Sequence, residues 1–105
     1  MTPEQVLWAE LFHGEPPSLD VERVAAIIDS LPDMRERAVV RLRYGFEGSP
    51  LSLKEIGRRL PRADGDLGLS RQSVQVILAS ALGRLRHSIR RRAWEQAREE
   101  RGRDG

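Results

Sequence analysis

The chain has 105 residues, 39% of them apolar, and so supports one domain with a single modest core. It contains no cysteine, which excludes disulfide frameworks and thiolate metal sites, and its two histidines, His13 and His87, lie far apart in the sequence. We therefore expect no metal site, no cofactor and, without a glycine-rich phosphate loop or a Ser-His-Asp set, no catalytic residues.

The net charge of +2 conceals a strong asymmetry along the chain. Residues 1–33 contain seven acidic residues and one basic residue, so they carry −6 and the remainder carries +8. A basic remainder favours nucleic acid as the partner, although an arginine-rich surface of the thermophile kind explains the charge equally well. No apolar stretch suits a signal peptide or a membrane span, which predicts a cytoplasmic protein without membrane contact.

Two short helices are predicted at the N-terminal end. Residues 3–12 form the first, because Pro3 suits a first helical turn and apolar residues follow with helical spacing. Ser18 or Asp20 caps the second helix. Its apolar residues recur at helical intervals and predict a stripe that faces the core: Val21, Val24, Ala25, Ile28 and Leu31.

The next two helices carry start and stop signals. Asp33 is predicted to cap the third helix, with Glu36 answering it in a capping-box pattern. Gly45 ends that helix by taking a left-handed conformation. Ser52 caps the fourth helix, SLKEIGRRL, and Glu55 answers the cap in the same way.

A helix-turn-helix is predicted over residues 52–87. Its first helix contains Gly57, which costs about 1 kcal/mol relative to alanine and indicates close packing, such as a crossing helix. Its second helix begins at Ser70 and would be the recognition helix that enters the major groove. The inward positions of this helix are Val74, Ile77, Ala81 and Leu85. The chain as a whole is predicted to be all-α, a compact domain of about five helices.

Three ordered blocks of the sequence resemble region 4 of sigma-70-type RNA polymerase sigma factors. They are LPDMRERAVVRLRYGFEG, LSLKEIGRRL and GLSRQSVQVILASALGRLRH, and together they cover residues 31–87. The resemblance implies a helix-turn-helix domain that binds double-stranded promoter DNA through its recognition helix. It also implies a second partner, the flap of the RNA polymerase beta subunit.

The recognition helix keeps part of the family's DNA-reading set. Arg71 matches an arginine that contacts promoter DNA in the family, whereas glutamine stands at 72 and 75 in place of charged residues. The set remains competent, because arginine pairs with guanine, glutamine with adenine, and valine contacts a thymine methyl group. We expect an altered sequence preference before a loss of DNA binding. The predicted DNA-binding residues are Ser70, Arg71, Gln72, Ser73, Gln75, Val76, Arg84 and Arg86.

Seven residues, PRADGDL at 61–67, are inserted between the two helices relative to the family pattern. Lengthening a surface loop costs little free energy, so one interpretation is a tolerated insertion around which the helices pack normally. The turn of a helix-turn-helix lies near the DNA backbone, however, and Asp64 and Asp66 would repel phosphates unless the loop folds away.

A wide apolar arc on the recognition helix indicates a protein partner. Its residues adjoin the core stripe and are predicted to contact another protein surface: Leu78, Leu82, Leu85 and Ile89. One interpretation is that the N-terminal helices of the same chain cover the arc. The alternatives are a homodimer, a partner sigma subunit or docking on polymerase, and then the chain is a protein-interaction module with little DNA affinity, such as a flap-binding decoy.

Three segments are predicted. Residues 1–30 form an N-terminal helical extension that packs on the module, residues 31–92 form the sigma region 4-like domain, and residues 93–105 form a charged tail that frays from Glu95 onward. Five aromatic residues are too few for the promoter-opening domain of a sigma factor. The sequence therefore predicts a free-standing domain rather than a complete sigma factor.

Overall fold

A computed structural model describes residues 2–12, 23–62, 65 and 68–103. It contains five α-helices in these ranges: α1 (Pro3–Leu11), α2 (Val24–Asp29), α3 (Met34–Tyr44), α4 (Leu53–Arg59) and α5 (Arg71–Arg103). The described ranges contain no β-strand, and none of their helices is both long and apolar enough to span a membrane. The prediction of an all-helical domain with about five helices is confirmed.

Local capping explains where most helices begin and end. The Thr2 hydroxyl accepts from the Gln5 amide, and the Gln5 side chain accepts from the Thr2 amide, which forms a capping box at α1. The predicted box at α4 is present, with Ser52 and Glu55 in these two roles. Gly45 closes α3 in the left-handed region, at φ 85°.

The predicted capping box at α3 is half wrong. Asp33 is the cap, and its Oδ1 accepts from the Arg35 amide at 2.7 Å and the Glu36 amide at 3.4 Å. The Glu36 side chain does not return to the cap. It is buried, and its Oε1 accepts from the Ser80 hydroxyl of α5 instead.

The second helix is shorter than predicted. Val24, Ile27 and Ile28 are its buried residues, so Ile27 and not Ala25 completes the core-facing stripe. The proposed caps Ser18 and Asp20, and Val21 of the predicted stripe, lie outside the described residues. Arg41 of α3 holds the end of α2 through an ion pair with Asp29 at 2.7 Å.

Two apolar clusters form the core. The larger joins the first three helices to the middle of α5, and its buried members include Leu7, Leu11, Val24, Ile28, Val40, Leu85 and Ile89. The smaller holds the helix-turn-helix on α3 and consists of Val39, Ile56, Leu60 and Val74. The start of α5 is therefore fixed by α3 and α4, while its middle lies under α1 and α2.

Close backbone packing accounts for Gly57. A β-carbon at this position would lie 2.3 Å from the Leu69 carbonyl oxygen, and the Leu69 amide donates to the Gly57 carbonyl at 2.7 Å. The predicted packing reason is confirmed, although the neighbour is the segment that leads into α5 and not a crossing helix.

The last helix extends well beyond the predicted module. It runs without interruption from Arg71 to Arg103, about 50 Å at the usual rise, and Ala93, the first residue of the predicted charged tail, is buried. An ion pair between Arg91 and Glu95, one turn apart, supports the extension. The division into segments 1–30, 31–92 and 93–105 stays a prediction, but its last boundary falls inside a continuous helix.

Candidate nucleic-acid interface

The turn between α4 and α5 is closed by backbone hydrogen bonds. The Gly68 amide donates to the Leu60 carbonyl at 3.0 Å, so the insertion at 61–67 leaves and rejoins the fold at one place. Arg62 donates to the Gly68 carbonyl at 2.6 Å and strengthens this closure. Asp64 and Asp66 lie outside the described residues, so their predicted position near phosphates is not among the structural findings.

Ser70 caps the N-terminus of α5. Its hydroxyl oxygen accepts from the Ser73 amide at 3.1 Å and lies 2.9 Å from the Ser73 hydroxyl. Both serines are exposed, at a helix end whose free amides and positive dipole favour phosphate. The two predicted DNA-binding serines are thus brought together, with Ser70 also supporting the helix.

Four predicted reading residues share the exposed side of the first two turns of α5. Arg71, Gln72 and Gln75 are exposed, and Val76 is 69% exposed, an unusual position for a valine. None of their side chains forms a hydrogen bond or ion pair with another described residue. This surface, which we call the reading face (Arg71, Gln72, Gln75 and Val76), offers a bidentate donor for guanine, two amides for adenine and a methyl contact for thymine.

A polar cluster centred on one buried carboxylate lies on the α3 side of the same helix. Glu36 is 4% exposed, and its Oε1 accepts from the Ser80 hydroxyl at 2.8 Å and lies 3.4 Å from Arg84 Nε. Arg84, predicted to bind DNA, is thus directed toward α3, although it keeps 57% of its side chain exposed. The sequence prediction assigned Glu36 to a capping box and missed its contact with α5.

The other predicted DNA-binding arginine is engaged within the chain. Arg86 is half-buried, and its Nε donates to the Leu11 carbonyl at 2.9 Å, at the C-terminal end of α1. Arg90 lies 5.7 Å from the centre of the Phe12 ring, one turn further along. DNA binding by Arg86 stays a prediction; in this structure its guanidinium satisfies the free Leu11 carbonyl at the end of α1.

The predicted protein-interaction arc is largely covered by this chain. Leu85 and Ile89 are fully buried against α1 and α2, so neither can contact a second protein in this structure. Leu78 and Leu82 are half-buried and pack on the edge of the core. In this structure the N-terminal helices of the same chain cover most of the arc.

Leu78 nevertheless lines an open groove. The groove has a volume of about 360 Å³ between α1, α3 and α5, and its lining is Val6, Glu10, Arg43, Tyr44, Pro50 and Leu78. Burial, with a smaller contribution from the Glu10 carboxylate, raises the pKa of Tyr44 to about 12, so its phenol is neutral. We call this the α1–α3 groove, and Val6, at 39% exposed, is a member that sequence reasoning missed.

The family model for Sigma-70, region 4 matches residues 27–87. Similar proteins include the RNA polymerase sigma-C factor of Nostoc sp., 37% identical over 87% of this chain and 18% of the relative, and the RNA polymerase sigma factor sigA of Arabidopsis thaliana, 31% identical over 80% of this chain and 15% of the relative. A probable RNA polymerase sigma-C factor of Synechocystis sp. is 46% identical over 62% of this chain and 14% of the relative.

The chain spans less than a fifth of the length of each of these relatives. No solved structure matches it. The matched range contains the whole of α3, α4 and the turn between the helices, together with the reading face at the start of α5. Since the family model covers more than half of the 105 residues, the chain belongs to the sigma-70 region 4 family.

Proposed function

We propose that this chain is a transcription regulator that binds promoter DNA through the start of α5 and also contacts RNA polymerase. The observation that carries the DNA part is the reading face, whose four side chains are exposed at the first two turns of the second helix of a helix-turn-helix. Side chains without partners among the described residues give up no bond to those residues when they contact bases. The proposed location is the cytoplasm.

Phosphate contacts would come from the ends of the two helices. Ser70 and Ser73 stand at the start of α5, where free amides also point outward. Lys54 is exposed in the first turn of α4, and the exposed Arg58 and Arg59 stand in its last turn. These contacts would set the register of the protein on DNA, while the reading face would select the sequence.

Equilibrium binding to promoter fragments and scrambled duplexes, measured over a range of salt concentrations, tests the DNA part. We expect tighter binding to a subset of promoter fragments, with affinity that falls as salt rises because counterions are released. The double variant Arg71→Ala, Gln75→Ala is expected to remove the preference while the fold remains. Negligible affinity of the wild type for every duplex at low salt would refute this part.

The alternative is a protein-interaction module with little DNA affinity, and the α1–α3 groove favours it. The groove exposes apolar surface from Val6 and Leu78 between a basic and an acidic residue, Arg43 and Glu10. The proposed occupant is the flap of the RNA polymerase beta subunit, since the relatives are named RNA polymerase sigma factors. In this alternative the chain is a decoy or a split-sigma subunit, or it forms a homodimer.

Capture of purified RNA polymerase by the tagged chain, with and without promoter DNA, tests the polymerase contact, and the affinity for duplex DNA decides between the two proposals. Leu78→Asp places a charge at the half-buried groove wall and is expected to abolish capture in both conditions. Arg71→Ala, Gln75→Ala should retain DNA-independent capture, because neither residue lines the groove. A solution mass equal to two chains would instead support the homodimer.

A further inference from the structure

Glu36 is the only charged side chain that is buried among the described residues. It lies in the first turn of α3, and its Oε1 meets two side chains of α5, the Ser80 hydroxyl at 2.8 Å and Arg84 Nε at 3.4 Å. Ser80 and Arg84 are four residues apart and therefore project from the same side of α5, one above the other. Both contacts can form together only over a narrow range of rotation of α5 about its axis.

The cluster is a poor source of stability. The second carboxylate oxygen of Glu36 is buried and has no hydrogen-bond partner among the described residues. A buried carboxylate that is half satisfied costs free energy, and replacing such a group with an apolar side chain of similar volume is often neutral or stabilising. What the carboxylate adds to the apolar packing is a directional constraint, because a hydrogen bond restricts the angle between its groups as well as their distance.

If α5 rotates about its axis at Ser80, the reading face rotates through the same angle. The helix is continuous from Arg71 onward, so its first turns rotate with its middle as one body. With a helix radius of about 5–6 Å including side chains, a rotation of about 20° moves an outer atom by about 2 Å. Hydrogen bonds to base edges tolerate only about 0.5 Å in distance, so this displacement would break them.

We infer that Glu36 is a positioning residue: through Ser80 and Arg84 it fixes the rotation of α5 against α3 and so determines which sequence the reading face selects. The effect on DNA selection rests on the proposed DNA binding, whereas the effect on rotation does not. Glu36 itself contacts no DNA in this scheme.

The test compares Glu36→Met with the wild type in three measurements. Urea unfolding is expected to show equal or greater stability for the variant. The ratio of affinities for the preferred and scrambled duplexes is expected to fall about tenfold, the loss of roughly one good base contact, while the salt dependence is unchanged because no phosphate contact is removed. The methyl NOEs that join Val74 to Ile56 and Val39 are expected to change, which reports rotation without DNA.

Glu47→Gln is the matched control. Glu47 also pairs with an arginine, Arg41 at 2.5 Å, but that arginine belongs to α3, so the control should alter neither the ratio nor the NOEs. Ser80→Ala removes the same hydrogen bond from the α5 side and is expected to lower the ratio as well. It replaces Glu36→Met in the affinity and NOE measurements if that variant does not fold.

Each outcome decides the inference. A parallel loss of affinity for both duplexes, or a loss proportional to the loss of stability, would make Glu36 a purely structural residue and overturn it. If the wild type has no sequence preference, the proposed DNA binding fails, and the NOEs decide alone. Changed Val74 contacts in Glu36→Met but not in Glu47→Gln then support the positioning role, and unchanged contacts overturn it.

Discussion

The first two turns of α5 and the middle of the same helix differ in what their outward side chains touch. At the start, Arg71 and Gln75 are exposed and have no partner among the described residues. Further along, Arg84 faces Glu36, Arg86 donates to the Leu11 carbonyl, and Arg90 lies over the Phe12 ring. The helix is continuous, so the difference comes from its neighbours: α1 and α3 engage the middle and leave the reading face free.

The largest effect is expected from Leu85→Ala. Leu85 is fully buried in the middle of α5, so the truncation is expected to lower the free energy of unfolding by about 2–5 kcal/mol. Val76→Ala at the exposed start should change it by less than about 0.5 kcal/mol. Urea unfolding of both variants measures this difference. An unchanged free energy of unfolding for Leu85→Ala would mean that Leu85 is exposed and available to a partner protein.

The second largest effect is expected from alkaline pH, which should lower the stability of the fold around the buried Tyr44. Burial raises the pKa of Tyr44 to about 12, above the value of about 10 for an unfolded chain. The stability that this neutral phenol contributes is complete below about pH 10 and is lost as the pH rises toward about 12, by up to about 2–3 kcal/mol. Tyr44→Phe should not lose stability over this pH range, as unfolding measurements would show. An equally steep loss of stability in this variant would mean that another group causes it.

Arg86→Ala and Gln75→Ala should give opposite results. Loss of the Arg86 contact leaves the Leu11 carbonyl without its donor and is expected to cost about 1–2 kcal/mol of stability, with little change in DNA preference. Gln75→Ala should leave stability unchanged and weaken binding to the preferred duplex by about 1–2 kcal/mol. Thermal unfolding and duplex titration of both variants measure the two effects. A change in DNA binding without a change in stability for Arg86→Ala would contradict this prediction.

The smallest expected effect lies at the boundary of the reading face. Ser70→Ala removes the cap of α5 and should lower stability by about 1 kcal/mol. Ser73→Ala is the matched change, because its amide still donates to the Ser70 hydroxyl. Chemical unfolding should rank Ser73→Ala above Ser70→Ala, and the reverse order would place the cap elsewhere.

Local features of this fold were predictable because their partners are close in the sequence. The caps at Asp33, Ser52 and Ser70 and the left-handed Gly45 join groups within a few residues of one another. The family resemblance likewise depended on ordered local blocks, and it located the reading face.

Other features depend on contacts between residues far apart in the sequence, which a local pattern cannot predict. Glu36 bonds to a residue 44 positions away, and Arg86 to one 75 positions away. The spacing of Leu85 and Ile89 predicts an apolar face, but it contains no information about whether the cover comes from this chain or another. The helical extension past Ala93 was missed for the same reason, since charged residues at 95 and beyond are compatible with either a helix or a frayed tail.

Two hydrogen bonds close the turn at the ends of the insertion, one from the Gly68 amide to the Leu60 carbonyl and one from Arg62 to the Gly68 carbonyl. Because these bonds join residues on either side of 63–67, the register of the recognition helix does not depend on how many residues lie between Arg62 and Gly68. Residues 63–67 are therefore a suitable place to shorten the chain, or to insert a tag or sensor peptide, while α4 and α5 stay packed against each other.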